Sequence, residues 1–236
     1  MGAIMLRNLI GLELRKHHIG GYIRNAIIAN IVAIAILFLM LYSPNMMEEV
    51  VFADYTSLFV GVDSFVRMIF IVFAAVLISR FIIDEYKSKT INILFMYPIS
   101  RKKILLSKLA IIAIFTFSNI VVSEIVLNAI LLTANTIVPI IQEPLTLSII
   151  GGGALKLIMN AMAASIMSLI PLYFGMKKYS TPTTIMSSLL IVSIVCSNNG
   201  GVSLNSIIII PIILALIGAF VTFMTIKKVD HVDVGN

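Results

Sequence analysis

Apolar residues in this chain come in long runs, and polar residues collect in the short segments between them. Six windows approach the ~20 residues that carry a helix across roughly 30 Å of hydrocarbon: residues 22–42, 65–83, 109–132, 154–174, 181–196 and 207–226. The fifth falls short of the usual minimum of about 17 residues, so it must lie where the membrane is thin, borrow from its flanks, or stop short of the far surface. A membrane barrel would instead show weak alternation over about ten residues at a time. The pattern predicts an all-α membrane protein with six transmembrane helices and one domain, 1–236.

Ahead of the first window, residues 4–19 are too short and too charged to cross. Met5, Leu9 and Leu12 recur at helical spacing beside Arg7, Asn8, Arg15 and His18, the pattern of an amphipathic helix lying along a membrane surface. The alternative is an unstructured basic leader. Gly20-Gly21 gives the backbone freedom to turn, so residues 1–21 are expected to form an interfacial helix leading into the first span. Between spans, 43–64 and 134–153 are apolar for solvent loops and are expected in the interface, while Ser197-Asn198-Asn199-Gly200-Gly201 is a turn signal.

Composition supports the membrane class. The chain is 60% hydrophobic and 12% charged, against about 25% charged in ordinary soluble domains, and its mean hydropathy is +1.09. One cysteine makes no intramolecular bridge, and the first residues show neither a cleavable signal nor a myristoylation pattern. In a membrane protein, the location of basic residues matters more than the net charge of +6. Arg7, Arg15, Lys16 and Arg24 lie at the first span, and Arg80, Lys87, Lys89, Arg101, Lys102, Lys103 and Lys108 surround the second connection. Lys177, Lys178, Lys227 and Lys228 follow the fourth and sixth spans. Both termini are therefore expected in the cytosol, the charge is expected to serve a membrane setting rather than nucleic acid, and only Arg67 and Lys156 fall on the other side. Glu48, Glu49, Asp54, Asp63 and Glu143 collect there too.

The second connection is the one extended polar and basic island. From Asp84 to Tyr97, an apolar stripe of Tyr86, Thr90, Ile91, Leu94 and Phe95 fits a short amphipathic helix. Pro98 pushes residue 97 out of helical geometry, and Ser100 is placed to cap a new helix. Residues 84–103 thus read as a cytosolic elbow. Arg101, Lys102 and Lys103 sit in the first turn of that new helix, where the macrodipole disfavours cations. Anionic lipid or an acidic patch on a docked protein would favour them.

No Gly-x-x-x-x-Gly-Lys-Ser/Thr loop occurs, so ATP hydrolysis by that route must be on another chain. His17, His18 and His231 lie outside the spans, and neither paired carboxylates nor a His-Glu-x-x-His helix falls within them, which argues against an intramembrane hydrolase. Glu124 does sit well inside an apolar run, at a cost of at least ~2.5 kcal/mol. With Asn128 one turn on and Asn135 beyond, one face of the third span is polar. The acid either bonds between helices, to Arg67 or Lys156, or meets substrate or a proton. Asn160, Ala164 and Ser168, with Ala161 and Ser165, form a stripe of small residues suited to close helix approach, within the subunit or at a subunit seam.

The string Glu85, Thr90, Leu94, Pro98, Ser100, Arg101 and Lys108 resembles that of bacterial type-2 ATP-binding-cassette (ABC) export permeases, departing at Lys89, where many relatives carry glycine. The resemblance implies that residues 85–98 form a coupling helix seated in a separate ATPase, with Glu85, Tyr86, Thr90, Leu94, Pro98 and Arg101 carrying the contact. It implies a connecting helix from the leader, short re-entrant helices after the fifth span, and two ABC ATPase partners that bind ATP and Mg. It also implies a second permease copy or relative, membrane lipid around the pair, a place in the bacterial cytoplasmic membrane, and export of hydrophobic drugs or antimicrobial or toxin peptides. Glu124, Asn128 and Asn160 are then pathway or helix-packing candidates. A non-transporting scaffold and a passive channel are the competing classes.

Overall fold

A computed structural model describes residues 11–13, 19–42, 54–88, 90, 100–137, 141, 147–196, 198–199, 202–203 and 209–229. The helices are α1 (Ile19–Tyr42), α2 (Tyr55–Ile78), α3 (Arg101–Ile137), α4 (Leu147–Met167), α5 (Pro171–Lys178), α6 (Thr181–Val195) and α7 (Ile209–Val229). A π-helical turn, Ser79–Ile83, and a last α turn, Asp84–Lys87, prolong α2. The one strand pair among the described residues is β1 (Asn198–Asn199) antiparallel to β2 (Val202–Ser203), on the expected turn signal. The re-entrant helices implied for the segment after α6 are therefore not seen at these four positions.

Four helical stretches among the described residues are long and apolar enough to cross a membrane: Gly20–Met40, Tyr55–Lys87, Lys102–Ile137 and Ile149–Lys178. The apolar stretches Thr181–Val195 and Pro211–Lys227 are shorter. The protein is an all-α, multi-pass membrane protein. Its helix ends differ from the apolar windows for local reasons. α2 starts at Tyr55 rather than residue 65 because Asp54 and Ser57 form a capping box: the Ser57 N–H donates to Asp54 Oδ1 (2.9 Å) and the Asp54 N–H to Ser57 Oγ (3.2 Å). Hydrogen bonding from Ser57, through its side chain and then its N–H, holds the Asp54 carboxyl below its ordinary value. Of the segments expected to lie in the interface, residues 55–64, 134–137 and 147–153 lengthen α2, α3 and α4, while 43–53, 138–140 and 142–146 lie outside the described residues. Gly20 and Gly21 likewise stay helical within α1 rather than forming a corner.

Pro171 has no N–H to donate, so the chain tightens ahead of it: Leu169 donates to the Ile166 carbonyl (3.1 Å) and Ile170 to that of Met167 (3.0 Å). This break separates α4 from α5. α5 in turn ends on Tyr179 in the left-handed region, φ 46°, and that turn directs the chain back into α6.

α2 is the central helix. Near one end of the bundle, Val62, Val66, Phe70 and Ile71 pack with Ile120, Leu127, Ala161 and Ala164. Near the other, Ile78, Phe81, Ile82 and Ile83 pack with Leu105, Ile112 and Leu172. Ile27, Ile31 and Leu39 of α1 and Leu216, Phe220 and Phe223 of α7 are exposed, as befits a hydrocarbon solvent. Lipid removes most of the hydrophobic drive between helices, leaving close backbone approach and polar ties to fix their positions. Gly218 is one such approach: a Cβ there would sit 2.7 Å from the Ile166 carbonyl oxygen and 3.0 Å from Met167 Cα. Asn135 provides a polar tie, donating to the Tyr55 hydroxyl (3.0 Å) and accepting from the Ile141 N–H (3.0 Å).

Candidate functional site

Two buried polar clusters stand at opposite ends of the bundle. The first lies where α2, α3 and α4 meet. Asp63 and Arg67 are one turn apart on α2 and form an ion pair, with Arg67 only 1% exposed. Asn160 of α4 donates to Asp63 Oδ2 (3.1 Å), and Glu124 of α3 shares one cavity lining with Asp63 and Asn160. Glu124 is 2% exposed. Beside the cluster lies a cavity of about 490 Å³ whose lining includes Asp63, Glu124, Asn128, Lys156 and Asn160 among apolar residues such as Phe59 and Leu132.

The sequence thus located the acid but not its neighbour. Glu124 was expected to reach Arg67 or Lys156; Arg67 forms its ion pair with Asp63, and no ion pair joins Glu124 to Lys156 among the described residues. Asp63 had been placed with the outer charges, just ahead of the window that begins at residue 65, and Arg67 at the outer end of that window. The signal that marks them is their i,i+4 spacing with opposite charge, which lets both enter the bundle as a neutral unit.

The second cluster centres on Lys108 of α3, 1% exposed. Its Nζ lies 2.7 Å from Glu85 Oε2, 3.3 Å from Glu13 Oε1 and 2.9 Å from the Phe81 carbonyl, to which it donates. Phe81 belongs to the π turn, whose wider winding presents that carbonyl to the lysine. Next to it Tyr86 stacks on Tyr179 with centroids 5.8 Å apart. Asp84 accepts from Thr181 Oγ1 (3.0 Å) and lies 3.6 Å from Arg80. One buried lysine therefore ties the end of α2, the start of α3 and the helical residues 11–13 of the leader. Gly175 makes the same end compact, since a Cβ there would fall 2.3 Å from Thr184 Oγ1 and 2.9 Å from Ile83 Cδ1.

Residues 9–193 match the family model described as ABC-2 family transporter protein. The chain belongs to this ABC-2 family. It is also similar to a protein of Bacillus subtilis (strain 168) named "Uncharacterized protein YcbO", 42% identical over 226 residues, 96% of this chain and 99% of that one. No solved structure matches. Membership makes the chain a membrane transport component of the ABC type, in a family that works with ATPase subunits.

The matched region of this ABC-2 protein contains both clusters. Of the residues assigned to ATPase coupling, Glu85 and Tyr86 are buried in the helical extension of α2, and Thr90 is exposed, its Oγ1 2.8 Å from Ser88 Oγ. Of the helix expected to run from Asp84 to Tyr97, Asp84–Lys87 is helical with Ser88 as its C-cap residue, and residues 91–97 lie outside the described residues. Leu94 and Pro98 lie outside the described residues, and of Arg101 only the backbone is described. α3 begins at Arg101 as expected, with the Ser100 carbonyl accepting from the N–H of Lys103 (2.9 Å). Of the pathway or helix-packing candidates, Glu124, Asn128 and Asn160 all line the cavity. The small-residue stripe is buried at Ala161, Ala164, Ser165 and Ser168, and Gly218 of α7 sits against the backbone just beyond it. Sequence reasoning missed Lys108 as a site residue because its partner Glu13 is remote in the chain.

Proposed function

We propose that this chain is one permease of a pair, identical or related, in an ATP-driven exporter of the bacterial cytoplasmic membrane. Six crossings put both termini and the Lys108 end in the cytosol, in keeping with the basic residues gathered there. Two ABC ATPases, which bind ATP and Mg, dock below, and the elbow at 84–103 seats in them. Hydrophobic drugs or antimicrobial or toxin peptides are the cargo, passing a route on which Glu124, Asn128 and Asn160 stand.

The observation that carries this reading is the Glu85–Lys108–Glu13 clamp at the root of the elbow. A helix extension free to swing would absorb a push from the ATPase. Here the last turns of α2, the first turns of α3 and the leader are joined through one buried ammonium, so displacement of the elbow moves both spans together. ATP binding then shifts the balance between inward-open and outward-open arrangements by the difference in contact energy between them. Glu85 and Tyr86 root the elbow, while Thr90, Leu94, Pro98 and Arg101 meet the ATPase.

The test is co-expression with a candidate ABC ATPase from the same genome, followed by co-purification and vesicle transport. Leu94→Asp and Arg101→Glu are expected to uncouple ATP turnover from transport or release the ATPase. Full ATPase binding with full transport in both variants contradicts the reading.

A further inference from the structure

The cavity where α2, α3 and α4 meet has a volume of about 490 Å³, within the range that holds one drug-sized molecule. Its two ends differ. Toward the start of α2 the walls are apolar, with Phe59, Leu132, Ile149 and Gly153. Deeper in the bundle stand Asp63, Glu124, Asn128 and Asn160. Between Leu132 and Glu124, α3 descends roughly 12 Å at about 1.5 Å per residue. A bilayer phospholipid holds its head at the surface and its chains inward. In its own leaflet it would meet this cavity the wrong way round, so the shape suits a separate amphiphile that enters polar end first.

The lining narrows the head group. Glu124 Oε1 is buried with no hydrogen-bond partner in the protein, and so is Asn128 Oδ1 one turn along α3. The same lining carries donors: the Lys156 ammonium, the Thr56 hydroxyl and the other half of the Asn128 amide. Asn160 already donates to Asp63 (3.1 Å), which pairs with Arg67. An ammonium head would supply N–H groups but meet Lys156 with like charge. A carboxylate or sulfate has no donor for the two oxygens, and a hydrocarbon answers neither set. A hydroxyl brings one donor for two oxygens. A primary amide brings two N–H groups and a carbonyl, and it brings no charge to a depth where charge is costly. It also suits Glu124 in either protonation state, since a carboxylate accepts and a carboxylic acid donates as well.

We propose that this cavity binds an uncharged amphiphile with a primary amide head, inserted head first, its apolar body lying between Phe59, Leu132 and Ile149. The amide N–H groups meet Glu124 and Asn128, and the amide carbonyl accepts from Lys156. Two glycines of α4 make the room. Among the described residues, a Cβ on Gly152 would meet nothing within 4 Å, and one on Gly153 would meet Phe59 Cδ2 at 3.4 Å. Glycine weakens a helix interior, and the packing of the described residues does not call for it at either position, whereas a side chain at 153 would take up cavity space beside Phe59. The inference deepens the permease reading, on which it rests for its purpose, by naming the class of molecule held. Binding needs neither ATPase nor flux, so its failure is separable from failure of that reading.

The experiment is calorimetric titration of the purified chain in phosphatidylcholine nanodiscs, subtracting empty nanodiscs, with decanamide, N,N-dimethyldecanamide, decylammonium and decanoate. These probes share a ten-carbon skeleton and differ in the head. Decanamide is expected to bind at least about tenfold more tightly than each of the others, because each of those leaves a buried polar group unmet. The dimethyl amide tests the need for N–H groups, and decylammonium the need for a carbonyl. Asn128→Leu, similar in volume, should weaken decanamide by at least about fivefold. Gly153→Leu should abolish binding, with circular dichroism confirming that the helices persist. The proposal is overturned by any of four results: no decanamide heat beyond that of empty nanodiscs, which marks a cavity holding water alone; a dimethyl amide or decylammonium bound as tightly as decanamide; an unchanged Asn128→Leu variant; or full binding by folded Gly153→Leu.

Discussion

Replacing Lys108 by methionine keeps the length and apolar stem of the side chain and deletes its charge. At 2.7 Å from Glu85 and 3.3 Å from Glu13, Coulomb attraction at an effective dielectric of about 20 amounts to roughly 6 and 5 kcal/mol. Withdrawing three ions from water costs several kcal/mol each, so forming the cluster is close to balanced. Removing the lysine alone is not balanced, because Glu85 and Glu13, 6% and 7% exposed, stay where they are. Stranding a buried charge costs about 3–5 kcal/mol. A proton limits the loss: protonating an ordinary glutamate costs about 3.7 kcal/mol at pH 7 and about 1 kcal/mol at pH 5.

The expected result for Lys108→Met, read by circular dichroism on heating in detergent, is a midpoint lower by roughly 6–12 °C near pH 7. The deficit should shrink on acidification towards pH 5, since protons then neutralise the stranded acids. The double variant Glu85→Gln with Lys108→Met should regain at least half of the loss, because one of the two stranded charges is gone. A midpoint within about 2 °C of the native chain at both pH values, or a double variant no better than the single one, refutes the argument. Mere loss of packed methylenes would not depend on pH, which makes the acid series the decisive reading.

Two glycines give further tests. Gly218→Ala places its methyl against the Ile166 carbonyl and Met167 Cα, neither of which can rotate away, so α7 must shift. A loss of about 1–3 kcal/mol in detergent unfolding is expected, and no loss would show that α7 does not sit this close to α4. Gly175→Ala meets the Thr184 hydroxyl and the end of Ile83. It should destabilise by a similar amount, and adding Thr184→Ala should recover most of it, because that hydroxyl otherwise donates only to the Ser180 carbonyl one turn back (3.0 Å). An additive double variant would discount the clash.

Apolar runs made the helices of this bundle legible because lipid demands a long apolar segment whatever it packs against. They misplaced the ends, since a run stops where a charge appears while a helix stops where its backbone finds another partner. Asp54 and Ser57 start α2 well before residue 65, and Gly20 and Gly21 continue α1 where a corner was expected. Glu124 was legible because it stands alone in its span. Asp63 and Arg67 were not, because a window treats each charge as a cost, whereas a pair at i,i+4 carries no net charge and needs no other helix. A search for opposite charges one turn apart at the edges of apolar runs would have moved Asp63 into the bundle beside Arg67.

Lys108 shows a different limit. It was read with the surface basic residues of the elbow, as its neighbours Lys102 and Lys103 deserve, for both are exposed. What buries Lys108 is the Phe81 carbonyl, turned out by a π-helical turn, and an acid in the leader, and neither position is written in the local pattern. Local sequence sets the depth at which a charge enters the membrane, but its partner is chosen by the tertiary fold. The polar groups that fix helix position are therefore the least legible part of a membrane bundle.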